Sequence, residues 1–141
     1  MEECSITDGI FYIYECFKNG TIHDIMMQGG NFRGILIENS GKVRELFSSL
    51  QEKKVAFWGV GRRLQIVMEL FKDDINFEFC FIDSRKAGSI YKGREISSYE
   101  QVVNENDVIL LLNHMYESEI RDMIDHYHGK EQVFIFDRFI K

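Results

Sequence analysis

Proline is absent from the 141-residue chain, although an average usage of about 5% would give about seven prolines. We find no physical reason for this absence. Cysteine is also scarce: only Cys4, Cys16 and Cys80 occur, and their spacing fits neither a disulfide framework nor a zinc site. No secretory leader is evident among the first residues, so we expect a cytoplasmic protein with free thiols.

Long apolar runs and an excess of positive charge are missing as well. No run approaches the roughly 18 apolar residues that a membrane-spanning helix needs, so the sequence predicts a soluble protein. The formal net charge of −6 argues against sequence-independent binding to nucleic acid, which requires a basic surface. Strong zinc-site, P-loop and nucleophile-elbow motifs are also absent, and we therefore expect no metal cofactor.

The composition favours a globular fold over disorder, because 45% of the residues are hydrophobic and 13% are aromatic. The charges are unevenly distributed along the chain. Residues 62–94 hold seven Lys/Arg against five Asp/Glu, a net charge of +2, whereas the rest of the chain carries −8. This basic segment is either an ordinary solvated surface or the binding edge for a small anionic ligand.

After the first 53 residues, short apolar runs alternate with helical patterns, which is typical of an α/β fold. The predicted strands are Val55–Val60, Phe77–Ile82, Glu95–Ser97, Val108–Leu112 and Val133–Phe136. Helices are predicted at Leu64–Phe71 and 116–128, the second ending near Gly129, and Ser98 with Gln101 fits a capping box that opens a further helix. Right-handed crossovers then favour a Rossmann-like open parallel sheet in the order 3-2-1-4-5, flanked by helices.

The first 50 residues are harder to interpret. Apolar residues between Ile6 and Phe17 predict a short amphipathic helix that Asn19-Gly20 would end. Gly34–Glu38 is interpreted as an extra strand, and an apolar stripe from Val43 to Leu50 predicts a helix leading into the sheet. We expect residues 1–50 to be a short helical extension that covers one face of the domain formed by residues 51–141, or that mediates dimerisation.

The most informative pattern surrounds Gly59-Val60-Gly61. These residues follow an apolar strand and precede an amphipathic helix, and the next apolar strand ends at Asp83, 24 residues after Gly59. In Rossmann units that bind dinucleotides, the first glycine permits a tight turn and the second lets backbone approach a phosphate at the helix N-terminus. The acid at the next strand's end accepts hydrogen bonds from ribose. Leu64 replaces the third glycine, which implies a shifted helix or a wider turn.

The predicted ligand crevice lies beyond the carboxyl ends of the strands, where the strand order reverses. Three loops would meet there, at Gly59–Arg63, Asp83–Lys86 and Asn113–Tyr116. The candidate ligand-binding residues are Gly59, Gly61, Arg62, Arg63, Asp83, Ser84, Arg85 and Asn113.

Each charged candidate has a structural alternative. Arg62 and Arg63 could pair with phosphate oxygens or lie in an exposed first helical turn. Asp83 could accept ribose hydroxyls or act as a turn residue, and Arg85 could stack on a base or bind a 2′-phosphate, which leaves NAD and NADP equally open. His114 is the candidate for acid–base catalysis, because its charge changes near neutral pH.

Three sequence elements also occur in a fixed order: the glycine turn at Gly59 and Gly61, the F-I-D-S run at Phe81–Ser84, and G-x-x-I at Gly93–Ile96. In these elements, residues 54–129 resemble small Rossmann-like domains of bacterial surface-polysaccharide and nucleotide-sugar proteins. Such domains precede sugar O- and N-acetyltransferases and accompany glycosyltransferases, methyltransferases and sugar dehydratases. This family often has proline where the present chain has Ser97-Ser98.

The sequence shows neither the left-handed β-helix of those acetyltransferases nor a second catalytic domain. The leading hypothesis is therefore a nucleotide- or nucleotide-sugar-binding module of bacterial glycan biosynthesis, with a second copy or a glycan-synthesis enzyme as its partner. Three alternatives stay open. They are an NAD(P)-dependent oxidoreductase with its site at a homodimer interface, a relative of S-adenosylmethionine-dependent methyltransferases, and an interaction module without a ligand.

Overall fold

The computed structural model describes residues 31–136, and the helix predicted between Ile6 and Phe17 lies outside this range. The helices in the range are α1 (Phe32–Glu38), α2 (Ser40–Ser49), α3 (Arg62–Phe71) and α4 (Glu117–His126). The strands are β1 (Lys54–Trp58), β2 (Glu78–Ile82), β3 (Ile90–Tyr91), β4 (Arg94–Ser97), β5 (Val108–Leu111) and β6 (Gln132–Ile135). Short 3-10 turns lie at Lys72–Asp74, Tyr99–Gln101 and His114–Tyr116. Of the helices described, none is long and apolar enough to span a bilayer.

The strands form one six-stranded sheet in the order β3-β4-β2-β1-β5-β6. Neighbouring strands are parallel, except that β3 pairs antiparallel with β4. Strand β1 is central, and its Ala56 lies opposite Cys80 on β2 and Ile109 on β5. The predicted α/β class, with helices flanking a mostly parallel sheet, is confirmed. The predicted sheet of five strands lacked β3, which adds an antiparallel edge.

Side chains of β1 point alternately into two cores, as expected for a strand that is covered on both faces. Val55 and Phe57 lie in the first core, against α1, α2 and α3, whereas Ala56 and Trp58 lie in the second, against α4. The helices contribute to the first core Phe32, Leu36, Val43, Leu46, Phe47, Leu64, Ile66, Val67, Met68 and Phe71. The sheet is therefore the middle layer of three.

Helix α1 differs from the sequence prediction. Gly34–Glu38, predicted as a strand, is helical, and the buried residues Phe32 and Leu36 lie four positions apart on the inner face of the helix. The prediction is wrong because a short apolar run does not distinguish a strand from a buried helix. The helix predicted from Val43 to Leu50 is present as α2.

Two connections between parallel strands contain no α-helix. The chain passes from β2 to β4 through β3, and from β4 to β5 through the turn Tyr99–Gln101. The predicted capping box is present, since the N–H of Ser98 donates to Oε1 of Gln101 at 2.9 Å, but it opens only this single turn. The fully buried Tyr99 ring stacks on Trp58 with 5.0 Å between ring centroids. The Tyr99 side chain thus covers a part of the sheet that the helix predicted after Ser98 would have covered.

Helix α4 ends in a Schellman motif close to Gly129, the residue predicted to end it. The N–H of Gly129 donates to the carbonyl of Ile124 at 2.7 Å, and the N–H of His128 donates to that of Asp125 at 3.1 Å. The left-handed position belongs to His128, with φ of 57°. Gly129 is instead required by packing, because a Cβ atom there would lie 1.9 Å from the hydroxyl of Tyr99.

Candidate functional site

A cavity of about 400 Å³ lies beside the carboxyl ends of β1 and β2. The turn after β1 and the start of α3 form one side, with Val60, Gly61, Arg62 and Gln65. The loop after β2 and the β3–β4 hairpin form the other, with Lys86, Ser89, Ile90, Tyr91 and Ile96. Open parallel sheets bind ligands beyond this end of their strands, so the cavity is the candidate site.

The turn between β1 and α3 uses its two glycines differently. Gly59 has φ of +109°, which residues with a side chain rarely adopt. Gly61 is extended, with φ of −145°, and among residues 31–136 no atom beyond its chain neighbours lies within 4 Å of the place that a Cβ atom would take. Because Gly61 has no side chain, it cannot cap the N–H groups in the first turn of α3. The positive end of the helix dipole lies at this turn.

The carboxylate of Asp83 holds this turn in place. One oxygen accepts a hydrogen bond from the N–H of Val60 at 2.9 Å, and the other accepts one from the N–H of Arg85 at 3.0 Å. The ammonium group of Lys86 donates to the carbonyl of Val60. Both backbone polar groups of Val60 are thus bound by side chains from the loop after β2. Asp83 therefore acts as a turn residue, which the sequence offered as the alternative to a residue that binds ribose.

Replacing Asp83 by alanine is expected to lower the free energy of unfolding by about 2 kcal/mol, because two backbone N–H groups lose a charged acceptor. Asp83→Asn should cost less, since the amide oxygen still accepts one bond. Urea unfolding monitored by circular dichroism measures both, with Asp122→Ala, at an exposed position of α4, as the control. An Asp83→Ala variant as stable as the control would contradict this role.

Arg63 lies inside the protein. Only 4% of its surface is exposed, one guanidinium nitrogen donates to the carbonyl of Leu112 at 2.7 Å, and the group lies 4.7 Å from the centre of the Phe32 ring. Arg63 therefore connects α3 to α1 and to the end of β5. Its guanidinium does not line the cavity, unlike the side chain of Arg62.

Two of the seven Lys/Arg residues in the segment 62–94 reach the cavity. Arg62 and Lys86 belong to its wall. A 2.7 Å ion pair with Arg33 lowers the pKa of Glu69 on α3, and the nearby charges of Lys92 and Arg62 lower it further. Lys92 is in the turn between β3 and β4, and the hairpin lies beside α3, because Gln65 of α3 and Tyr91 of β3 line the same cavity. A negatively charged ligand in the cavity would meet the positive charges of Arg62 and Lys86, with the Asp83 carboxylate held in the turn beside them.

The other predicted site residues lie away from the cavity wall. Ser84 and Arg85 are exposed in the turn after β2 and do not line the cavity. Asn113 is nearly buried, and its side-chain oxygen accepts from the N–H of Met115 at 2.9 Å, which begins the turn His114–Tyr116. His114 is partly buried and does not line the cavity either. The structure thus brings together Gly61, Arg62 and the loop after β2, but not the loop after β5.

The hairpin residues of the wall, such as Ile90 and Tyr91, were not predicted as site residues. The sequence contains one signal for this hairpin, because Lys92-Gly93 separates two short β-prone runs. In the structure both residues have positive φ, 52° and 76°, as a type I′ hairpin turn requires. Burial raises the pKa of Tyr91. Lys86 was noted in the predicted loop, but no separate role was assigned to it.

Cys80 is half-buried on β2, and burial raises the pKa of its thiol, which makes it a weak nucleophile. Within residues 31–136, no three His, Cys, Asp or Glu side chains are grouped so that they could hold a metal ion.

Residues 51–134 match the family model described as C2185-like, N-terminal. The chain belongs to this family. The segment matching the C2185-like family contains β1 to β5, α3, α4 and most of β6, and with them every residue that lines the cavity. No curated protein and no solved structure gives a significant match.

Proposed function

We propose that this C2185-like domain is a Rossmann-like module that binds a small anionic ligand, a nucleotide or nucleotide sugar, in the cavity at the start of α3. The observation that carries the proposal is the cavity itself, where an uncapped helix N-terminus and two cations meet. The ligand serves bacterial glycan biosynthesis, and a partner enzyme supplies the catalysis. This last part rests on the resemblance of residues 54–129 to accessory domains of polysaccharide and nucleotide-sugar proteins.

Electrostatics supports an anionic ligand. Backbone N–H groups at a helix N-terminus and the positive end of the helix dipole stabilise a phosphate group. Arg62 and Lys86 add two positive charges to the same wall. An ammonium group has three donors, so Lys86 can bind the carbonyl of Val60 and still donate to a phosphate oxygen.

The fold supports the Rossmann-like interpretation. Strands β2, β1 and β5 are parallel neighbours, and the glycine turn follows the central strand of the three. The position of the cavity at the carboxyl ends of β1 and β2 agrees with ligand sites in such sheets. A volume of about 400 Å³ lies within the usual range for small-molecule sites. His114 lies outside the wall, and the proposal therefore assigns no catalytic residue.

Isothermal titration calorimetry of the full chain tests the proposal, with nucleoside monophosphates, UDP-glucose, NAD⁺, NADP⁺ and inorganic phosphate as ligands. At least one nucleotide should bind at millimolar concentration or below, more weakly as salt rises. Arg62→Gln should weaken this binding about three- to tenfold, since one phosphate contact is lost. Arg121→Gln, an exposed arginine on α4, is the control. If no nucleotide binds at millimolar concentration, the proposal is overturned.

A further inference from the structure

The cavity has two chemically different sides. Gly61, Arg62 and Lys86 offer backbone N–H groups and positive charge, whereas Ile90 and Tyr91 offer apolar and aromatic surface. From this arrangement we propose that the ligand is a phosphomonoester of one ring system, a nucleoside monophosphate, rather than a dinucleotide or a nucleotide diphosphate sugar. The inference rests on the proposed function and narrows its ligand class.

The size of the cavity supports a single nucleoside. Its volume of about 400 Å³ is near the lower end of the range for small-molecule sites. A dinucleotide has two nucleosides joined by a pyrophosphate, and such ligands lie extended across the sheet towards the loop after its neighbouring strand. That loop, at Asn113 and His114, forms no part of the wall.

The hydrogen bonds of Asp83 give its carboxylate a role within the turn. In sites for dinucleotides, the acid at this position accepts bonds from a ribose diol. Here both carboxylate oxygens accept backbone N–H groups, from Val60 and from Arg85. The carboxylate is therefore already held in the turn. The proposal therefore places recognition of the ligand on the two sides of the cavity, the phosphate at the cationic side and the ring at the apolar side.

Ile90, on the apolar side of the cavity, is a large hydrophobic residue that is exposed to solvent. Its side chain is 67% exposed, although it belongs to the wall, and a planar ring placed over it would remove this apolar surface from water. The other large exposed hydrophobic residue in the described range is Ile37, 57% exposed on α1 and outside the wall. These two isoleucines form a matched pair, because their substitution changes similar surfaces and only one lines the cavity.

The test compares ligands and variants by calorimetry on the full chain. Adenosine or uridine monophosphate should bind at least tenfold more tightly than inorganic phosphate, NAD⁺ and UDP-glucose. Ile90→Thr should weaken monophosphate binding at least threefold and leave binding of inorganic phosphate unchanged, whereas Ile37→Thr should change neither. Circular dichroism of both variants checks that the fold is kept.

The outcomes separate this inference from the proposed function. Tighter binding of UDP-glucose or NAD⁺ than of either monophosphate overturns the inference and leaves the proposed function standing. Equal effects of Ile90→Thr and Ile37→Thr also overturn it, because the ring would then lie elsewhere. A protein that binds inorganic phosphate as tightly as the monophosphates has no site for a ring. If nothing binds, both proposals fail.

Discussion

Gly61→Val should weaken nucleotide binding roughly ten- to a hundredfold while the domain stays folded. The extended backbone of Gly61 suits any residue, and in the described range no atom beyond its chain neighbours lies within 4 Å of its Cβ position, so an added Cβ atom is tolerated. Its branched side chain would occupy the space in front of α3, where a phosphate must approach the N–H groups. Losing charge-assisted bonds worth about 1–3 kcal/mol corresponds to that loss of affinity. Calorimetric titration measures it.

Two other glycines provide the controls for this experiment. Gly41 on α2 also has no atom within 4 Å of its Cβ position, and Gly41→Val should leave ligand binding unchanged. Gly59→Val should instead destabilise the protein, because φ of +109° strains a branched residue by roughly 1–3 kcal/mol. A folded Gly61→Val variant that binds nucleotide as tightly as the parent would show that the ligand does not lie over the turn.

Gly129→Ala should lower the free energy of unfolding by about 3 kcal/mol, because the added methyl group meets a packed hydrogen-bonded pair. The Cβ atom would lie 1.9 Å from the Tyr99 hydroxyl and 2.6 Å from a carboxylate oxygen of Glu131. These two groups share a 2.8 Å hydrogen bond, and the N–H of Asn104 also donates to Glu131 at 2.8 Å. The methyl group can fit only if the backbone or this network moves.

A double-mutant cycle with Tyr99→Phe tests the cause of this destabilisation. Removing the hydroxyl deletes the closest contact, so Gly129→Ala should cost at least 1 kcal/mol less in the Tyr99→Phe background. Chemical unfolding of the four proteins gives the coupling energy. Strictly additive effects would mean that the hydroxyl does not cause the strain.

The unit from β1 to β2 could be predicted from the sequence because its signals are local. Apolar runs mark the two strands, and the glycines of Gly59–Gly61 mark the turn between β1 and α3. Strand β3 could not be found in the same way, since it has two residues and its Ile90 is exposed. α1 was predicted as a strand because its apolar run is short, and only packing against α3 and the sheet decides that it is a helix.

The residues of the candidate site could likewise be predicted only where their role depends on local sequence. Arg62 and Gly61 could be predicted because a helix N-terminus after a glycine turn is a local feature. The roles of Arg63 and Asp83 depend on partners distant in sequence, Leu112 for the arginine and Val60 for the carboxylate. A sequence gives the charge of these side chains but not the backbone groups that fold against them.

The position of Phe47 on α2 has a consequence for recombinant fragments of this protein. Its ring centroid lies 5.6–6.3 Å from those of Phe71, Phe77 and Phe136, so two of the four rings, Phe47 and Phe136, fall outside the family segment 51–134. Losing one buried phenylalanine side chain costs about 3–5 kcal/mol, and a whole domain is stable by only about 5–15 kcal/mol. A fragment cut at the family boundaries would therefore lack the rings that close its own core, and the smallest autonomous folding unit must extend beyond those boundaries at both ends.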